Sequence, residues 1–145
     1  MFSKACEYGI KATLYIAEQA LHNDEKIGVK DIAKQIESPE AFTAKILQIL
    51  SKNKIIKSLK GPSGGFYIPK EQLENIKLSA IVMAIDGDYI YKGCGLGLSQ
   101  CNEEKPCPVH DQFKEIRNEL AKMLNTTSLL ELATSLDSGL TFLKS

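Results

Sequence analysis

The stretch that most limits what this chain can fold into is "ESPEAFTAKILQILSKNKIIKSLKGPSGGFYIPK", residues 37–70, where a helical pattern runs straight into a glycine-broken hairpin. Ser38 suits a helix N-cap, Pro39 the first helical position, and Glu40 the positive helix end. Phe42, Ile46, Ile49 and Leu50 predict a buried stripe, which leaves Thr43, Ala44, Lys45 and Gln48 free to face outward. The preceding "VKDIAKQI" predicts a short helix with Val29, Ile32, Ala33 and Ile36 on one face, so the pair reads as a helix-turn-helix. Two strands are expected next, Ile55, Ile56 and Leu59 before the turn "GPSGG", and Phe66, Tyr67 and Ile68 after it. A hairpin directly after a recognition helix describes a winged helix, a mainly α fold with a small two-stranded β wing.

Charge supports a nucleic-acid partner. The chain carries formal net charge +0, yet residues 43–70 hold six lysines (45, 52, 54, 57, 60 and 70) and no acid. From residue 76 onward there are seven bases and nine acids. A local basic surface of this kind can meet DNA phosphates without making the whole chain basic. Double-stranded DNA is therefore the expected partner. The recognition helix would present Ser38, Glu40, Thr43, Ala44, Lys45 and Gln48, and the wing Lys60, Gly61, Pro62, Ser63 and Gly64.

Elsewhere the pattern is helical. Residues 4–21 predict a first helix, with Ala5, Tyr8, Ala12, Tyr15, Ile16 and Ala20 near one period. "KEQLENIKLSAIVMAIDG" predicts a helical turn and a helix whose Leu78, Ile81, Val82 and Ile85 pack under the wing. "PVHDQFKEIRNELAKMLNTT" predicts a helix of about five turns, on which Val109, Phe113, Ile116, Leu120 and Met123 form a heptad-like dimerisation seam. A two-fold dimer would let paired recognition helices read a two-fold operator. "TSLLELATSL" adds a short amphipathic segment. The expected organisation is a DNA-binding unit over 1–87, a cysteine-rich loop over 88–108, and a dimerisation helix with its tail over 109–145.

No stretch approaches the roughly 18 apolar residues of a membrane span. Lys4, Glu7, Lys11 and Glu18 interrupt any signal-peptide pattern, so a reducing cytoplasm is expected and a disulfide is not. In that setting "CGLGLSQCNEEKPCPVH" gathers three of four cysteines and one of two histidines as C-x6-C-x5-C-x2-H, namely Cys94, Cys101, Cys107 and His110. Cys107, followed by Pro108, is expected at the N-cap of the long helix, with His110 on the same first turn. The chemistry suits tetrahedral zinc, as a structural site in a winged helix used for protein interaction, an iron–sulfur cluster with histidine on one iron, or a metal-free thiol redox switch. Cys6 lacks a motif partner and reads as a small buried hydrophobe. No enzymatic constellation or small-molecule substrate site is legible.

These stretches together resemble the Rrf2 family of bacterial winged-helix regulators. "EYGIKATLYIA", "VKDIAKQIESPEAFTAKILQIL", "IIKSLKGPSGGFYI", "IKLSAIVMAIDG" and "CNEEKPCPVHDQFKEIRNELAKML" follow the family's order over nearly the whole chain. "KGPSGGF" is similar to its RGPGGGY wing motif, with Lys60 where arginine is usual. The resemblance implies a homodimeric transcription factor, a repressor or an activator, with its recognition helix near 39–51. Thr43 stands where some relatives carry glutamate, so their operators do not transfer. Iron–sulfur members carry three cysteines in this loop, which CymR-like members lack. The resemblance thus moves the expectation from zinc to a 2Fe–2S cluster with His110 as fourth ligand, as in IscR-like members. A 4Fe–4S centre completed by Glu7 of the partner subunit, as in NsrR-like members, is the alternative. The first gap is one residue longer than usual, which singles out Cys94.

Overall fold

The structure is a computed structural model that describes residues 1–144. Seven helices and one hairpin make up the described chain: α1 (Lys4–Ala20), α2 (Val29–Gln35), α3 (Glu40–Lys52), β1 (Lys57–Leu59), β2 (Gly65–Tyr67), α4 (Leu78–Asp86), α5 (Tyr89–Lys92), α6 (His110–Thr126) and α7 (Leu129–Asp137). A single 3-10 turn, Lys70–Gln72, precedes α4. The mainly helical fold with a two-stranded antiparallel wing is the one the sequence predicts. No described helix is long and apolar enough to cross a membrane.

The main core joins Ile16 of α1, Ile32 of α2, Ile46, Leu47 and Leu50 of α3, Ile81 of α4 and Leu129 of α7. Ser3 starts α1 by accepting from the Cys6 N–H, and Asp86 at the end of α4 accepts from the Ser3 N–H. Cys6 itself is fully buried, and burial beside Asp86 pushes its thiol up to about 12, as fits an inert core residue.

Four expectations are corrected. Ser38 does not cap α3, because the turn uses it to close α2: Glu37 adopts φ 55°, and the Ser38 N–H donates to the Ala33 carbonyl. That is a Schellman closure, and it leaves Ser38 Oγ buried without a partner and Pro39 at the helix entrance. The buried face of α3 is rotated from the predicted one. Thr43, Ile46, Leu47 and Leu50 point inward, while Ile49 is 38% exposed. Thr43 tolerates burial because its hydroxyl donates to the Pro39 carbonyl at 2.9 Å. Ile55 and Ile56 are core residues of the turn before the wing, not strand residues; the strand begins at Lys57, after Lys54 turns at φ 61°. Lastly, α4 packs against α1, α3 and α6 rather than under the wing.

The C-terminal segment returns to the winged helix. α7 lies along α1, and the Leu129 N–H donates to the Ile76 carbonyl at 2.9 Å. Ser128 caps α7 by accepting from the Glu131 N–H. The spacing Ser128-x-x-Glu131 is that of a capping box, a start signal present in the sequence.

Candidate functional site

Two surfaces carry the chemistry. On the first, α3 exposes Glu40, Lys45 and Gln48, with Ala44 half-buried beside them. Thr43, expected to face outward, is fully buried and cannot meet a base edge in this conformation.

The wing stands beside α3 in antiparallel register, with Lys57 opposite Tyr67, Ser58 opposite Phe66 and Leu59 opposite Gly65. Its base is pinned by a bridge in which the Ile27 and Phe66 N–H groups donate to each other's carbonyls at 2.9 and 2.8 Å. A Cβ on Gly65 would lie 2.7 Å from the Ile27 carbonyl oxygen, and one on Gly64 2.0 Å from that of Leu59. The two glycines therefore allow backbone to pass backbone. Lys60, Gly61, Pro62 and Ser63 at the tip are exposed, and Gly64 is half-buried. Among the described residues, none of the six lysines from 45 to 70 forms an ion pair. Their charges are available to phosphate.

The second surface is the cysteine loop, which rests on one stripe of α6. His110, Phe113 and Arg117, spaced three and four residues apart, share that face. A Cβ on Gly95 would lie 2.4 Å from the Phe113 ring, so the loop backbone sits flat on this side chain. His110 Nδ1 and Cys101 Sγ are 3.4 Å apart. Arg117 donates to Cys101 Sγ at 3.2 Å and to the Gly93 carbonyl at 2.7 Å. Cys94 is buried, and the Leu96 and Leu98 N–H groups, with a smaller contribution from the Cys107 side chain, hold its thiol below the ordinary value. All four cysteines are free thiols.

Cys107 is not the cap of α6. Its carbonyl accepts from the His110 N–H, which places it one turn ahead of the helix, and Val109 takes the cap position. His110 is thus the first helical residue. It is 6% exposed, and its Nε2 is buried with no hydrogen-bond partner.

The expected ligands therefore gather as two pairs, Cys101 with His110 and Cys94 with Cys107. Among the described residues, no three His, Cys, Asp or Glu side chains converge as a ready metal site. The donor set still fits an iron–sulfur group. It offers three free thiols and an imidazole nitrogen that is buried and unspent, a cost that a ligand would remove. Glu7 sits on the first turn of α1, paired with Lys4 at 3.2 Å.

Of the expected seam, Ile116 (58%) and Met123 (47%) are exposed, while Val109 is half-buried. Phe113 is taken up by the loop, and Leu120 packs on the small core of Cys6, Val82 and Leu124. Leu124, fully buried, is not marked by the seam's spacing, because it lies one residue beyond it.

Comparison with known proteins agrees with the winged-helix fold. Residues 2–135 match the model of the Rrf2 family, described as an iron-dependent transcriptional regulator. A protein of Aquifex aeolicus named as an HTH-type transcriptional regulator is 32% identical over 134 residues, covering 91% of this chain and 90% of its own. The HTH-type transcriptional regulator IscR of Serratia proteamaculans is 26% identical over 131 residues, covering 90% of this chain and 77% of its own. Among solved structures, CymR, the global cysteine regulator of B. subtilis, superposes with TM-score 0.74 at 19% identity, covering 92% of this chain and 96% of its own. IscR of T. potens also gives TM-score 0.74, at 15% identity, covering 98% and 92%. At those identities the two structures speak for the fold alone. The family match spans nearly the whole winged helix-turn-helix chain, and the protein belongs to the Rrf2 family of transcriptional regulators.

Proposed function

We propose that this regulator is a homodimer whose grip on a double-stranded DNA operator is set by an iron–sulfur cluster on Cys94, Cys101, Cys107 and His110. The observation that carries the reading is the His110 imidazole at the start of α6, whose Nδ1 lies 3.4 Å from the free Cys101 thiol while its Nε2 is buried without a partner. A bound cluster would supply one-electron chemistry and a site for oxidants or nitric oxide, with a 2Fe–2S centre best matched to a histidine ligand. The chain's own residues do the rest. Binding would draw the two donor pairs together, and the loop rests on the His110–Phe113–Arg117 face of α6, the helix whose adjoining face exposes Ile116 and Met123. A shift of α6 at a dimer interface would move two recognition helices relative to each other, and a coupling of about 1–3 kcal/mol is enough for a usable switch. On the DNA side, Lys45 and Lys60 would neutralise phosphates while Gln48 and Glu40 face base edges.

The test is anaerobic purification with iron, sulfide and zinc quantified against an absorption spectrum. Iron and sulfide in matching amounts with a visible chromophore are expected. A colourless chain with stoichiometric zinc would overturn the cluster. The separation of the four donors into two pairs favours, as second reading, a metal-free thiol regulator. That outcome would show as no bound metal, with operator affinity that follows thiol oxidation.

For DNA, Lys45→Ala and Lys60→Ala are each expected to weaken binding to all sequences alike. Each should reduce the slope of log K against log salt by about 1. Titrations between low and moderate salt check this, and unchanged slopes in both variants would leave the basic segment a solvated face.

A further inference from the structure

We propose that Arg117 is the positioning residue of the cysteine loop, a clasp that holds both ends of the 93–101 segment on α6 and donates to the Cys101 sulfur. One guanidinium reaches Gly93 O at 2.7 Å and Cys101 Sγ at 3.2 Å, residues that flank Cys94 and its glycine-rich run. The chain between these anchors has two further glycines, at 95 and 97, and little backbone stiffness of its own. Its other seats on α6 are the Phe113 ring under Gly95 and the His110 ring beside Cys101. Among the described residues, Arg117 alone joins the two ends.

The residue type matters. Arginine stays charged at any working pH, and its planar fork can serve a carbonyl and a sulfur together, which a single ammonium on a flexible stem does poorly. A permanent positive charge against Cys101 also favours any state that places more negative charge on that sulfur. With the cluster proposed above, on which this part rests, the donor would stabilise the reduced form and raise the reduction potential. This role is not legible in the residue pattern, because Arg117 lies sixteen residues beyond Cys101 on the polar part of a heptad-like helix.

Arg117→Met, which keeps an unbranched apolar stem and removes charge and donors, is compared with Arg117→Lys and the unaltered chain. In the metal-free protein, amide hydrogen exchange over 94–101 is expected to quicken about tenfold in Arg117→Met, while buried amides of α1 and α7 keep their protection. Exchange within about twofold of the unaltered chain would overturn the clasp. After anaerobic loading with iron and sulfide, the midpoint potential of Arg117→Met is expected to be more negative, with Arg117→Lys between the two. Equal potentials would overturn the donor to Cys101. Should Arg117→Met fail to fold, Arg117→Lys carries both measurements. If the unaltered chain takes up no iron, the cluster reading fails, and the exchange experiment still decides the clasp.

Discussion

Leu129→Ala is expected to cost about 2–5 kcal/mol of unfolding free energy, the range for emptying a fully buried leucine site. Leu129 is 0% exposed and sits in the main core with residues of α1, α2, α3 and α4. It is also held by backbone, since its N–H donates to the Ile76 carbonyl and the Leu78 N–H to the Thr127 carbonyl. Relaxation into the cavity is thereby limited, which argues for the upper half of the range. Against a total of about 5–15 kcal/mol, such a loss lowers the melting temperature by roughly 10 °C for a chain of this size. Leu140→Ala, at a site 79% exposed, serves as control and should stay within about 0.5 kcal/mol. Urea titration of the metal-free protein at fixed concentration measures both. A Leu129 loss below about 1 kcal/mol would mean that α7 does not belong to the core of the winged helix.

That core membership was the least legible part of the fold. The amphipathic pattern of α7 shows in "TSLLELATSL", and the Ser128-x-x-Glu131 start signal is there to be read, but periodicity says nothing about which surface a helix covers. The recognition helix shows a finer limit. Its existence follows from its residues, yet its face is misjudged by one residue, because Thr43 can bury its hydroxyl against Pro39 and thereby release Ile49 to the surface. Ser38 looked like a cap by type. The turn required it one step earlier, closing α2 behind a left-handed Glu37, and only the turn geometry reveals that competition. The wing, by contrast, was legible because its glycines answer a local need: backbone passes backbone at Gly64 and Gly65.

The same distinction applies to the cysteine loop. Its donors could be listed from spacing alone, and their residue types limited the chemistry to soft-ligand centres or thiol redox. Their grouping could not be foreseen. Pro108 suggested a helix start at Cys107, but the turn it enters is completed before the helix, so Val109 becomes the cap and His110 the first helical residue. That shift directs the imidazole at Cys101 and buries its far nitrogen. The sequence pointed to a ligand; the structure adds an unsatisfied atom.

From this atom follows the larger functional effect: His110→Ala is expected to abolish stable cluster binding while leaving the metal-free fold nearly as stable. A histidine kept for packing would behave oppositely. Its Nδ1 contact to Cys101 at 3.4 Å is a long and modest one, while Nε2 is buried without a partner, a state that costs about 1–3 kcal/mol. Removing the ring relieves this cost and offsets much of the cavity it leaves, so the metal-free melting point should move by only a few degrees. In the loaded protein the sign reverses, because a group that binds only the folded state stabilises it by mass action and the variant forfeits that gain. Iron retained after desalting should fall at least tenfold, with loss of the visible bands. Cys101→Ala and Cys107→Ala should do the same. Glu7→Ala should leave spectrum and iron content unchanged, since Glu7 already has an exposed partner in Lys4. If instead Glu7→Ala strips the iron and His110→Ala does not, the fourth ligand is Glu7 of the partner subunit, and a 4Fe–4S centre replaces the 2Fe–2S assignment. If His110→Ala destabilises the metal-free chain as much as a buried leucine loss, the imidazole is a packing element.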